Sequence, residues 1–171
     1  MKKKFLYLLV IFIALILQTA TVAVFFGERN AVDLVLMLAL AWAIIDGFGA
    51  FFFWAIAIGI LYDLAAFTPV GVHVLIFLAV IYMVSFFSRR LSIDHKGTGA
   101  GIIFVFIIVA TFISQGILGI LSHADFLTVK EFFKIFVSIK WFAVQIFFNS
   151  VFFILAFILV NWVKKYFAIN N

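Results

Sequence analysis

The sequence predicts an all-α polytopic membrane protein, a single domain built as a six-helix transmembrane bundle, and three observations carry that reading. Of the 171 residues, 68% are apolar and only 11% are charged, whereas soluble domains run roughly half apolar and about a quarter charged. The apolar residues fall in runs near the roughly 20 residues that a helix needs to cross a bilayer. The Lys and Arg residues cluster at the ends of those runs, where the bilayer and the insertion machinery read them. The net charge of +5 therefore points to lipid rather than to nucleic acid. With no Cys in the chain, disulfides, iron–sulfur clusters and thiolate zinc sites are excluded, and a single Pro leaves few obligatory kinks. Five or six spans fill the chain, so function is expected within or between helices.

Span one follows Met1-Lys2-Lys3-Lys4 and covers residues 5–26, longer than the roughly 7 to 15 residues of a signal-peptide core and so retained as an anchor. The next apolar run, Ala31 to Asp63, has 33 residues, which as one helix would measure about 50 Å against a hydrocarbon core of about 30 Å. It is read as two spans, 32–45 and 48–66, broken at Asp46-Gly47-Phe48-Gly49 because Asp and Gly favour turns and a charge favours the interface. Thr68-Pro69 stops span three, and spans four, five and six follow at about 71–87, 99–121 and 141–163. Between the last two, Thr128 and Glu131 have the spacing of a capping box. A helix over about 129–140 is expected to lie along the outer interface, with Phe132, Phe133 and Phe136 among its charges.

Charge placement tests the break in the long run. With six spans Lys2, Lys3, Lys4, Arg89, Arg90, Lys96, Lys164 and Lys165 fall on the cytoplasmic side and Arg29, Lys130, Lys134 and Lys140 outside, eight against four. Merging spans two and three gives six against six. The positive-inside rule selects six spans with both termini cytoplasmic.

Chemical motifs are sparse. His73, His95 and His123 lack the paired helical spacing of metal sites, so no metal and no cofactor are expected. Gly97-Thr98-Gly99-Ala100-Gly101 is not followed by Lys-Ser/Thr and reads as a flexible entry to span five rather than a phosphate loop. Nothing has the form of a nucleophile elbow, and the chain is read as not an enzyme.

Polar residues inside spans carry more information, because an Asp near a helix centre costs roughly 2.5 to 3.5 kcal/mol on insertion scales. Asp63 lies four residues after Gly59, on the same helix face, at the outer end of span three. It is either a solvated helix end or the organiser of the turn that leads to Gly71 and His73. A second set, Thr111, Ser114 and Gln115 on span five with Gln145 and Asn149 on span six, reads as hydrogen bonding between helices, worth roughly 0.6 to 2 kcal/mol each.

Leu17-Gln18, Asp33-Leu34-Val35-Leu36, Gly59-Ile60-Leu61-Tyr62-Asp63-Leu64 and Thr68-Pro69-Val70-Gly71-Val72-His73 together resemble the bacterial rod shape-determining protein MreD family. The core of the resemblance is Gly-x3-Asp-x7-Gly-x-His, and it covers about residues 5–90; Val32 stands where the family has Pro. The resemblance implies a non-enzymatic scaffold of the cell-elongation complex in the bacterial inner membrane. It would bind MreC, a single-span periplasmic scaffold, and act with MreB filaments and peptidoglycan synthases in maintaining cell shape. It also implies a fold similar to the substrate-binding subunits of energy-coupling-factor vitamin transporters, which supplies the alternative function. Trp54, Trp141, His73 and Asp63 would be candidates for an outward vitamin pocket, while Ala14, Ala20 and Ala23 do not form the Ala-x3-Ala docking motif of such subunits. For a partner helix, Gly47 and Gly49, or Ala39 and Ala43, offer close approach.

Overall fold

The structure, a computed structural model, describes residues 2–22, 33–90, 98–122 and 139–166. Among them are six helices: α1 (Lys2–Ile16), α2 (Leu34–Asp46), α3 (Phe48–Ala65), α4 (Val72–Arg90), α5 (Thr98–Ser122) and α6 (Ile139–Tyr166). There is no strand among the described residues. The region read as an interfacial helix lies outside the described residues, except that Ile139 and Lys140 already belong to α6.

Helix α1 does not continue evenly. Over Leu17–Val22 it widens into a π-helical turn, a geometry in which the regular i to i−4 bonding is lost and which often marks functional positions. The Thr19 hydroxyl donates to the carbonyl of Leu15 at 2.9 Å, taking up an acceptor at the start of the widened stretch. The long apolar run after Ala31 is two helices, and the break is a single residue. Gly47 donates its N–H to Ala43 O at 2.9 Å, closing α2, and accepts from Phe51 N at 3.3 Å, opening α3. Its φ of +80° is a conformation that a Cβ disfavours, so glycine is the residue that permits so abrupt a reversal.

Helix α2 is the centre of the bundle, packing against α1, α3, α4 and α6, while α4 packs against α3 and α5, and α5 against α6. Its sequence explains its place. From Leu34 to Ile45 it has no charged or hydrogen-bonding side chain other than the indole of Trp42, and a helix that is apolar all round has no face for water. Every residue from Val35 to Ala43 is buried. Ala39 and Ala43 are therefore covered by this chain's own helices, and they do not offer close approach to a partner helix. Gly49 is exposed, with open space where a side chain would stand.

Two polar contacts hold α2 lengthwise against α6. At one end Asp33 N donates to Asn149 Oδ1 at 3.0 Å. At the other, Lys164 Nζ donates to Asp46 Oδ1, and the second carboxylate oxygen accepts from Trp42 Nε1 at 3.0 Å. Asp33 to Asp46 is 13 residues and Asn149 to Lys164 is 15, or about 20 and 22 Å of helix. The matched lengths make the two helices antiparallel in a defined register.

Candidate functional site

The α3–α4 turn is built around one carboxylate. Asp63 is 0% exposed, so it is not a solvated helix end. Its Oδ1 accepts from Thr68 Oγ1 at 2.9 Å, from His73 N at 3.1 Å and from the His73 ring at Nδ1 at 2.6 Å. Its Oδ2 accepts from Gly71 N at 2.7 Å. The backbone joins in, with Thr68 N donating to Asp63 O at 3.0 Å. These donors lie five to ten residues downstream of Asp63, and a short loop brings them back by two unusual backbone conformations. Gly71 has φ +110°, and Phe67, a residue 97% exposed, has φ +54°. A bulky side chain in the left-handed region is strained by roughly 1–3 kcal/mol, and the four bonds to Asp63 are what over-determine the turn.

Gly59 supplies the approach of the helices. A Cβ at this position would stand 2.5 Å from Val74 Cα and 2.6 Å from Val74 N, so the backbones of α3 and α4 are in contact there. One turn along α3, that contact places Asp63 against the first turn of α4. The Gly-x3-Asp-x7-Gly-x-His spacing thus corresponds to one construction: a close crossing, an acceptor, a left-handed turn residue and a terminal donor.

A second polar cluster lies deeper. Asp33 caps α2, its Oδ1 accepting from Leu36 N at 3.0 Å, while Ser114 Oγ donates to its Oδ2 at 3.5 Å. Leu34 N donates to Gln18 Oε1 at 2.7 Å, so the π-helical turn after α1 satisfies another amide at the start of α2. Asn149 accepts from Asp33 N and donates through Nδ2 to Thr111 Oγ1 at 2.9 Å; the Thr111 hydroxyl passes on to Ile107 O at 2.8 Å. Gln18, Asp33, Thr111, Ser114 and Asn149 are all buried. Gln145, one turn before Asn149, is buried and engaged as well. Gln115 is half-buried and takes no part in these bonds. Thr111 is 13 residues from the start of α5 and 11 from its end, so the cluster sits near the middle of the bundle.

Tyr62 packs beside the Asp63 turn. Its ring lies against the His73 ring at a centroid distance of 4.1 Å and parallel to Phe77 at 6.1 Å. Reading the sequence groups Gln18, Asp33 and Asp63 as one motif set, keeps the α5–α6 residues apart from it, and gives Tyr62 no role of its own. A signal was present in the spacing of Tyr62 from Gly59, three residues before it and so on the same face of α3.

Three of the candidates for a vitamin pocket, Asp63, His73 and Trp54, are among the side chains described. Asp63 and His73 face each other inside the turn, Trp54 is half-buried, and the Trp141 side chain lies outside the described residues. Among the described residues no buried side-chain nitrogen or oxygen lacks a hydrogen-bond partner, and no group of three His, Cys, Asp or Glu side chains is placed to hold a metal ion.

Helices α5 and α6 contain stretches, Gly101–Leu118 and Phe142–Tyr166, long and apolar enough to cross a membrane, and shorter apolar helices accompany them. No curated protein and no solved structure matches the chain. The match to known proteins is at the level of the family, and it is nearly complete: the profile of rod shape-determining protein MreD aligns with residues 1–169 of the 171. With the apolar helical bundle and the Gly59, Asp63, Gly71 and His73 construction, that match shows that this membrane protein belongs to the MreD family, whose role is in determining rod shape.

Proposed function

We propose that the protein is a non-catalytic scaffold of the cell-elongation complex in the bacterial inner membrane, acting by binding an MreC-type single-span protein through its helices. The observation that carries this reading is the use of its buried polar groups. Asp63, His73 and Thr68 bond one another, and so do Gln18, Asp33, Thr111, Ser114 and Asn149 with neighbouring backbone. Such an arrangement fixes the relative positions of helices, and specific packing with a few polar contacts is what organises helices in lipid. MreB filaments and peptidoglycan synthases are the further members of the assembly that this role implies. Depletion in a rod-shaped host is expected to round the cells, and detergent-solubilised protein is expected to retain an MreC-type protein at moderate salt, because apolar packing is little screened. Retention of an energy-coupling ATPase module, or submicromolar binding of a vitamin, overturns this function in favour of transport.

The same proposal places six crossings in the membrane with both termini in the cytoplasm. It is supported by the eight-to-four distribution of Lys and Arg and by the single-residue break at Gly47. It is supported too by the pairing of Asp46 with Lys164, which puts the α2–α3 turn level with the end of α6. Because the chain has no native Cys, single Cys probes read the topology directly. A Cys at Ile93 is expected to be shielded from an impermeant thiol reagent in intact cells and one at Leu127 to react; labelling at Ile93 overturns the six-span arrangement.

A further inference from the structure

The α3–α4 hairpin is short and nearly uncharged. Helix α3 has 18 residues and α4 has 19, about 27 and 28 Å of helix against a hydrocarbon core of about 30 Å. From Gly47 to Ser88 the only Asp, Glu, Lys or Arg is Asp63, and Asp63 is buried inside the turn. The opposite end of the hairpin is polar: Arg89-Arg90 end α4, and Asp46, paired with Lys164, stands just before α3. A hairpin of this length, rooted by those charges at one interface, carries its turn only to the far edge of the hydrocarbon.

The surface of the turn is apolar as well. Leu64, Phe67 and Val70 are 59%, 97% and 66% exposed. Phe53, Ala57, Ile60, Leu61 and Leu64 form one exposed stripe along α3 at spacings of three and four, and Phe67 prolongs it beyond the helix end. Thr68, the turn's one polar side chain, is directed inward, its hydroxyl donating to Asp63 Oδ1 at 2.9 Å.

The backbone of the turn is satisfied from within. Ala66 N donates to Tyr62 O at 2.8 Å and Thr68 N to Asp63 O at 3.0 Å, while Gly71 N and His73 N donate to the Asp63 carboxylate at 2.7 and 3.1 Å. Pro69 has no N–H to satisfy. At membrane depth an irregular turn persists only where such groups find partners inside the protein. The conformation of Phe67, φ +54°, points the same way. Gly or Asn holds it at less cost, and a residue 97% exposed finds almost no apolar contact within this chain, so what favours a Phe lies in the surroundings of the turn.

We propose that the α3–α4 turn is a lipid-inserted tip: Leu64, Phe67 and Val70 lie among the acyl chains at the edge of the outer leaflet. The bonds to Asp63 replace the water that a turn at that depth lacks. The proposed six-crossing arrangement enters only in naming the leaflet; the depth of the tip is independent of it and of any protein partner.

The test uses the purified full chain, one copy per nanodisc of phosphatidylethanolamine and phosphatidylglycerol. A nitroxide on Cys at Val70 is compared with one at Leu155, outward-facing within α6, and one at Lys165, exposed at the end of α6. Electron resonance saturation by oxygen, which concentrates in acyl chains, and by a neutral water-soluble nickel chelate reads the depth of each. Val70 is expected to match Leu155, with oxygen the stronger relaxant, and Lys165 to show the reverse. Phe67→Asn keeps a residue that tolerates the left-handed conformation but removes the apolar ring. It is expected to raise the water-exposed population of the Val70 label about tenfold, the lower end of what burying one Phe side chain provides. A Val70 label as open to the nickel chelate as Lys165 places the turn in water, and one shielded from both relaxants places it under protein; either overturns the proposal. An unchanged Val70 label in Phe67→Asn overturns the part assigned to Phe67.

Discussion

Gly59→Ala is expected to abolish the native α3–α4 crossing, and with it both stable folding and the ability to support rod shape. The added Cβ would stand 2.5 Å from Val74 Cα and 2.6 Å from Val74 N, and only the third neighbour, Val74 Cγ2 at 2.8 Å, is a movable side-chain atom. Overpacking usually costs about 1–3 kcal/mol because side chains rotate aside. Backbone atoms cannot, so α4 must withdraw as a whole, and Asp63 then loses reach to Gly71 and His73. The expected loss is at the top of that range or above it, a large part of a total stability of roughly 5–15 kcal/mol. Thermal unfolding in detergent and complementation of a depleted strain measure it, with Gly116→Ala as the control. A Cβ added at Gly116 would meet nothing within 4 Å, and the residue lies inside α5, where alanine is the better helix former by about 1 kcal/mol. Wild-type stability of Gly59→Ala would show that the close crossing is not needed.

Asp63→Ala is the second large effect. It leaves the N–H groups of Gly71 and His73, the His73 ring donor and the Thr68 hydroxyl without their acceptor. Removing one side of a buried, hydrogen-bonded charged group costs about 3–5 kcal/mol, most of it from the groups left unpaired. The left-handed Phe67 and Gly71 then have nothing to hold them, and the turn is expected to relax. Asp63→Asn should be milder. Its one amide oxygen, placed at the Oδ1 position, keeps the bonds to Thr68 and His73, while the NH2 group confronts the Gly71 N–H. The expected order of melting temperatures is wild type, Asn, then Ala, with partner retention and cell shape following it. If Asp63→Ala matches the wild type in all three, the carboxylate does not organise the turn.

The construction shows how a helical bundle uses reactive side-chain types to fix its own helices. A carboxylate, an imidazole, a phenol and two carboxamides lie in one bundle, the set from which active sites are drawn. Here the carboxylates and carboxamides accept from amides and a hydroxyl that helix ends and turns leave open, and the imidazole bonds a carboxylate. The start of α2 is the clearest case: its amides at Asp33, Leu34 and Leu36 are satisfied by Asn149, Gln18 and Asp33 in turn. A helix beginning inside an apolar bundle has no water for those groups. Side chains from two other segments and from the helix's own cap supply what water would.

Composition and run length by themselves determined that this chain is a bundle of apolar helices, because 68% apolar residues leave no soluble alternative. The break at Asp46-Gly47 was also legible, since a helix of about 50 Å has no bilayer to fit and Gly readily takes φ near +80°. Asp63 stood out as a costly residue whose donors lie within ten positions, and local spacing was enough to suggest Gly71 and His73 as its partners. Only the tertiary structure decided the rest. Asp33 and Asn149 are 116 residues apart and Asp46 and Lys164 are 118 apart, and periodicity says which face a residue is on but not which helix that face meets. The same limit hid the burial of Ala39 and Ala43, which as a small-residue pair suit an internal and an external contact equally well. Tyr62 was illegible for a further reason: a Tyr in an apolar run is ordinary, and its place against His73 and Phe77 arises only once α3 and α4 have packed.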